Sequence, residues 1–209
     1  DFHGAWSDYE HVELEDGLVG TRFTSQGHDV RLQAVQKEVG GWRGAFGLQS
    51  GRVDFGAAGA EAFVPATLSR STGVFVLQEK SAGALKLELG ARHDRVELDP
   101  ERGHPSRRFG ATSLSAAAIW QLDPALDLRM GVDRSERAPT QEELYAGGLH
   151  VATSSLELGD VHLDTESALR GELGLHAHRG RFDLELSIYH SRFDDFIYLA
   201  DTGTIDHEL

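Results

Sequence analysis

Eleven histidines share a chain of 209 residues with 34 acidic side chains. Imidazole plus carboxylate is the donor set of zinc and related divalent ions. His104, His150 and His162 fall in or beside segments read below as loops, which makes them the candidate metal ligands. Glu143, Glu157 and Asp160 are carboxylates near enough in sequence to complete such a site, and Tyr145 joins Glu143, His150, Glu157 and Asp160 as a candidate ligand contact. Spacing gives no preformed cluster, because no His-x₃-His pair occurs. The competing reading is solvated histidines among acidic loop residues. His176 and His178 flank a turn and are expected to hold nothing as a pair.

Other chemistries find less support. With no cysteine in the chain, disulfides and thiolate metal sites are excluded. No Gly-x-Ser-x-Gly elbow is present for a serine hydrolase. The run Gly56-Ala57-Ala58-Gly59-Ala60 lies in an expected loop, not between a strand and a helix, so it is no phosphate cradle. No carboxylate pair stands apart as a hydrolytic couple. No catalytic residue is assigned, no resident cofactor is expected, and the chain reads as a non-enzyme. Lys+Arg 20 against Asp+Glu 34 gives a formal charge of -14, which argues against a nucleic-acid partner and against attachment to anionic lipid through basic clusters.

The elements that position these residues are strands. Leu85, Leu87, Leu89 and Ala91 alternate with Lys86, Glu88, Gly90 and Arg92. Leu126, Leu128, Met130 and Val132 alternate with Asp127, Arg129, Gly131 and Asp133, and Phe182, Leu184, Leu186 and Ile188 with Asp183, Glu185, Ser187 and Tyr189. Leu169, Leu173 and Leu175 oppose Arg170, Glu172 and His176 in the same way. A period of two is the signature of a strand with two unlike faces. Tight turns are predicted at Val39-Gly40-Gly41, Ser81-Ala82-Gly83, Leu122-Asp123-Pro124-Ala125 and Ala177-His178-Arg179-Gly180. The predicted strands are 2–12, 28–38, 42–54, 72–80, 84–97, 110–121, 125–136, 166–177 and 181–197. The predicted loops are 13–27, 55–71, 98–109 and 137–165.

Short turns at one end and long loops at the other suit an antiparallel barrel in an outer membrane. The expected strand lengths approach the roughly 9–11 residues that a tilted spanning strand needs. Trp42, Trp120 and Phe182 sit beside turns, where an interfacial aromatic girdle belongs. No apolar run long enough for a spanning helix is present. In the last loop, Thr140 can cap a short helix with Glu143 three residues on and Gly147 at its end. Pro139 ends the preceding strand, and Arg137 is expected to pair with Glu142 or Glu166.

The segment from Arg137-Ala138-Pro139 through Glu143-Leu144, Gly148-Leu149-His150-Val151-Ala152-Thr153, Gly159-Asp160, Leu163 and Glu166-Ser167 leads into Glu172-Leu173-Gly174-Leu175, then Phe193-Asp194-Asp195-Phe196-Ile197-Tyr198. This ordered set resembles the barrel domain of TonB-dependent outer-membrane receptors. Gly20-Thr21-Arg22-Phe23, Gly41-Trp42-Arg43-Gly44 and Glu61-Ala62-Phe63-Val64-Pro65 are similar to earlier pieces of it. The Gly-Leu-His150 stretch looks most like the branch of the family linked to zinc or other metal uptake.

The resemblance implies an all-β, antiparallel up-and-down transmembrane β-barrel. Residues 1–209 would supply about nine or ten of the roughly 22 strands of such a barrel. It also implies a plug domain and a TonB-contacting segment, neither matched here, so the expectation is a partial barrel domain. Asp1-Phe2-His3-Gly4 already reads as mid-strand, without a signal peptide. Implied partners are the TonB complex through the plug region, outer-membrane lipid, and a small-molecule or metal ligand. The transported ligand would be a scarce nutrient such as a metal ion, a zinc or iron chelate, or a siderophore. A passive pore or adhesin barrel, and a soluble β-protein, are the alternatives.

Overall fold

The computed structural model describes residues 1–15, 18–59, 62–101, 103–150 and 155–203. Nine long strands form one sheet: β1 (Phe2–Glu15), β2 (Leu18–Val39), β3 (Trp42–Gly59), β4 (Thr67–Ala82), β5 (Leu85–Pro100), β6 (Arg107–Asp123), β7 (Leu126–Arg137), β10 (Glu166–Arg179) and β11 (Phe182–Asp194). Between β7 and β10 lie a short helix α1 (Gln141–Tyr145) and a two-stranded ribbon, β8 (Gly147–His150) with β9 (Ser155–Leu158). Spatial order in the sheet is β1-β2-β3-β4-β5-β6-β7-β10-β11, and every neighbouring pair is antiparallel. This is an up-and-down meander of nine strands, as the alternation predicts.

Register carries the two faces intact from strand to strand. Leu85, Trp120, Leu128, Leu175 and Leu186 stand side by side across β5, β6, β7, β10 and β11. One residue along, Lys86, Ile119, Arg129, Gly174 and Ser187 form the matching row of the opposite face. The sheet is concave toward the second set. A recess of about 770 Å³ is lined together by Val35, Arg43, Glu79, Glu88, Arg129 and Glu172, which come from six strands between β2 and β10. Only a sheet curled toward that face brings so many strands around one space.

The concave face is cross-linked by polar groups. The Arg92 guanidinium donates to Asp94 at 2.6 Å and to Gln49 Oε1 at 3.2 Å, and the Gln49 amide donates to Asp29 at 2.9 Å. Arg92 lies on β5 and Gln49 on β3, so this contact passes over β4. It does so at Gly73, where an added Cβ would fall 2.2 Å from Asp94 Oδ1. The convex face carries the aliphatic residues with nothing packed on them: Leu184 is 49% exposed, Leu186 56% and Ile188 69%. Apolar outside and ionic inside is the arrangement of a membrane barrel wall, and the reverse of a sandwich. Trp42, Trp120 and Phe182 share the convex face at its turn end.

Turns occupy 40–41, 83–84, 124–125 and 180–181, at the predicted places. The other strand ends depart from prediction. Most of 13–27, and parts of 55–71 and 98–109, are paired strand rather than loop. β2 alone has 22 residues, about 70 Å of chain at 3.3 Å each, far beyond a hydrocarbon core of about 30 Å. A strand of that length would leave such a layer, and beyond it both faces would meet water, so the alternation fades while the hydrogen-bond ladder continues. At the far end β11 stops at Asp194, short of the predicted 197.

Candidate functional site

Among the described residues of the loop from 138 to 165, Ala138, Leu144, Tyr145, Val161 and Leu163 pack on the concave face at its loop end. Pro139 comes two residues after the end of β7, and Thr140 then caps α1. The Thr140 hydroxyl accepts from the Glu143 N–H, and the Glu143 carboxylate accepts from the Thr140 N–H, a reciprocal capping box. The helix ends at Ala146, and Gly147 already belongs to β8.

α1 presents Leu144 and Tyr145, 1% and 2% exposed, to Leu98 of β5 and Phe109 of β6. Val96, Ala138, Val161 and Leu163 complete this small core. The Tyr145 hydroxyl donates to the Pro105 carbonyl at 3.0 Å, and burial pushes that phenol above its usual range. Gly159 closes the loop against α1, its N–H donating to the Ala146 carbonyl at 2.8 Å. An added Cβ there would lie 2.7 Å from the Leu144 carbonyl carbon.

An ion-pair network pins the loop at its root. Arg137 donates to both Glu143 oxygens, at 2.8 and 3.0 Å, and to Glu166 at 3.0 Å. Glu166 also accepts from the Ile197 N–H at 2.9 Å, which draws the segment after β11 to the same point. Arg137 therefore pairs with Glu143 and Glu166; Glu142 instead accepts from Gln141. The predicted Arg137–Glu142 pairing is corrected by helix geometry, since Glu143 is the residue that turns back to the cap. The Glu143 hydrogen bonds, helped by Glu166 and opposed by burial, raise the Arg137 pKa further.

The candidate ligand contacts separate into two groups. Glu143 and Tyr145 are engaged in the cap, the ion pair and the core. Asp160 accepts from the His162 N–H at 2.8 Å, while its own N–H donates to the Glu143 carbonyl. His150 and Glu157 face each other across the β8–β9 ribbon, Nδ1 to Oε1 at 2.8 Å. The His150 ring stacks on Phe63, centroids 4.6 Å apart, and the Gly147 N–H donates to the Phe63 carbonyl. His104 lies against Tyr145 instead, centroids 5.7 Å apart. Among the described residues no three His, Asp or Glu side chains converge as a metal-binding group, so His104, His150 and His162 are not brought together. Val151–Ser154 of the family-like stretch lie outside the described residues.

Phe63 and Arg107 belong to this region although their spacing does not announce it. Arg107 donates to the Leu163 carbonyl at 2.8 Å, across 56 residues of sequence. The signal that reaches Phe63 is its place in Glu61-Ala62-Phe63-Val64-Pro65. On the opposite, turn side, His176 and His178 both face Asp183 rather than acting alone.

A family model described as TonB dependent receptor-like, beta-barrel, matches residues 4–207. Among solved structures, the fold is similar to a double mutant of the Serratia marcescens hemophore receptor HasR in complex with its hemophore HasA and heme, with a TM-score of 0.69 at 18% identity. That match covers 86% of this chain and 34% of the receptor chain, so this chain spans about a third of its length. At that identity the likeness is one of fold. A sheet that is apolar outside and ionic inside, with its long loop packed at one end and a family match along nearly its whole length, belongs to the TonB-dependent receptor β-barrel family.

Proposed function

We propose that this chain is part of the barrel domain of an outer-membrane receptor that imports a scarce nutrient with energy delivered through TonB. The family match over residues 4–207 carries the reading. The apolar convex face and polar concave face support it, since they suit lipid and a hydrated interior. In this reading residues 1–209 form wall and mouth, the plug and TonB contact lie outside them, and the chain performs no chemistry of its own. A soluble β-protein has no use for an unpacked aliphatic belt, and a passive pore or adhesin is disfavoured by the receptor family.

For the cargo we propose a metal carried as a chelate, with a bare metal ion or a siderophore as the alternatives. His150 and Glu157 offer two adjacent donors beside the Phe63 ring. Zinc normally takes four ligands, so a metal meeting these two would keep others of its own. The heme held by the structural neighbour is one such chelate.

The test is uptake by cells carrying the full-length receptor as their sole route for labelled zinc, iron chelate or heme. Import should collapse with a protonophore, and His150→Ala should weaken binding of the cognate chelate by about tenfold, the loss of one good contact. Import indifferent to the energy source removes the receptor reading. Unchanged affinity in the His150 variant removes the metal-chelate assignment alone.

A further inference from the structure

Among the described residues, every ladder of the main sheet but one runs to the loop-side end of a strand. β4 pairs with β5 as far as Thr67 and Pro100, β5 with β6 as far as Leu98 and Arg107, and β7 with β10 as far as Arg137 and Glu166. Between β6 and β7 the ladder stops early, at Leu114 and Arg134. Beyond that pair, Arg107–Ser113 of β6 continue on β5 alone, and Ser135, Glu136 and Arg137 of β7 continue on β10 alone. The break starts at Leu114, the last outward aliphatic residue of β6, and runs from there to the mouth.

Side chains stand where the ladder is missing. The Thr112 N–H donates to the Glu136 carboxylate at 2.6 Å, and the Glu136 N–H donates to the Ser113 hydroxyl at 3.3 Å. A carboxylate set between two backbones holds them farther apart than a direct N–H to carbonyl bond does. Arg134 holds the other Glu136 oxygen at 2.5 Å, and the His93 ring meets the Thr112 hydroxyl at 2.9 Å. On the concave side the mouth crosses the same line. It is joined to β7 by the chain and by the Arg137–Glu143 pair. It reaches β5 and β6 through Leu144 and Tyr145 on Leu98 and Phe109, the Tyr145 bond to Pro105, and the Arg107 bond to the Leu163 carbonyl. Each of these contacts is single, whereas the ladder below the break opens only as a cooperative unit.

We propose that the β6–β7 line is a hinge in the wall: β7 and β10 swing away from β6 about the Leu114–Arg134 pair, with Glu136 as the latch outside and α1 as the clasp inside. The intact ladder from Leu114 to the turn fixes the axis. Opening the latch orphans no deeply buried group, because Glu136 keeps Arg134 and the half-buried Thr112 turns its N–H to water. The clasp is the stronger hold, since Leu144 and Tyr145 are almost fully covered only while α1 lies against Phe109. Whatever displaces α1 therefore widens the mouth by parting the wall itself. The hinge rests on neither the cargo nor energy coupling.

The test measures distances between spin labels in the full-length receptor in lipid vesicles. One pair, Gly110→Cys with Ser167→Cys, spans β6 to β10 above the hinge; the other, Ala116→Cys with Gly171→Cys, spans the same strands below it. Both glycines have room for the change: an added Cβ comes no nearer than 3.4 Å to His93 at Gly110, and meets nothing within 4 Å at Gly171. In Glu136→Ala/Leu144→Ala the upper pair should gain a population longer by about one strand spacing, ~4.8 Å, while the lower pair keeps its distance. Glu136→Gln/Leu144→Ala, which keeps an acceptor for the Thr112 N–H, should show less of that population. An unchanged upper distance in Glu136→Ala/Leu144→Ala overturns the hinge. Equal broadening of both pairs does so too, because the wall would then loosen with no axis at Leu114–Arg134. The labelled but otherwise unaltered receptor needs no core variant to fold: its upper distribution should be the broader of the two, and equal widths there also overturn the proposal.

Discussion

The wall and the mouth of this molecule place leucine on opposite sides of the protein surface. On β10 and β11, Leu173, Leu184 and Leu186 stand half exposed on the convex face. A few residues beyond the end of β7, Leu144 is 1% exposed beneath the loop, packed with Leu98, Phe109 and Tyr145. The same side chain answers two solvents. Against acyl chains an exposed leucine costs nothing, and burying polar groups inward is what folding must achieve. Against water the leucine itself must be covered. The transition falls where the convex face turns from Val74 and Ala91 to Arg70 and Arg95, within one strand.

Truncating the mouth core should have the largest effect. Leu144→Ala removes a fully covered side chain and should cost about 2–5 kcal/mol locally. The effect should appear as faster amide exchange at Leu144 and Ala146, whose N–H groups donate to Thr140 and Glu142 carbonyls. Exchange at the paired amides of β10 and β11 should not change. Equal loss in both regions would show that wall and mouth fold as one unit and would dissolve the contrast.

Leu173→Arg probes the other solvent. In lipid vesicles it should destabilise the folded full-length receptor by about 2–4 kcal/mol, the scale for a cation at the middle of a barrel's lipid face. A water-facing leucine would tolerate the same change with little loss. Denaturant titration of the receptor in vesicles gives the value, and a cost below about 0.5 kcal/mol, the range of ordinary surface substitutions, would move Leu173 out of the bilayer.

How much was readable from sequence follows the same division. Within the bilayer each strand has unlike faces, so alternation fixed the strands around Leu85, Leu128 and Leu186 and the turns that join them. Outside it, β2 runs through Ser25, Gln26 and Gly27 with no such contrast, and those residues read as loop although they are paired with β1. In the mouth, the helix was legible because a capping box is a local signal of three residues' span. The bond from Arg107 to the Leu163 carbonyl and the stack of Phe63 on His150 join residues 56 and 87 positions apart. No local pattern encodes such partners. The concave network over Gly73 was hidden for a related reason: it is made by the curvature of four strands, β2 to β5, and no one strand contains it.

The smallest expected effect is electrostatic and confined to the mouth. Burial works to raise the Glu143 carboxyl, but the two Arg137 hydrogen bonds and the Thr140 N–H outweigh it and hold the group below the ordinary glutamate range. A depressed carboxyl stabilises the docked loop above its unfolded value, about 4.3, and the contribution is lost as pH falls through the lower folded value. Arg137 is shifted upward and stays charged throughout, so it adds no acid transition of its own. Glu166 shares Arg137 and faces the same point, so it must be held constant. Glu143→Gln keeps an acceptor for the Thr140 N–H but removes the titration. Exchange at the Leu144 amide, corrected for intrinsic rates, should accelerate below about pH 4.3 in the unaltered receptor and stay flatter in the variant. Parallel profiles would remove Glu143 as the source of the acid response, leaving the mouth held by its hydrophobic core alone.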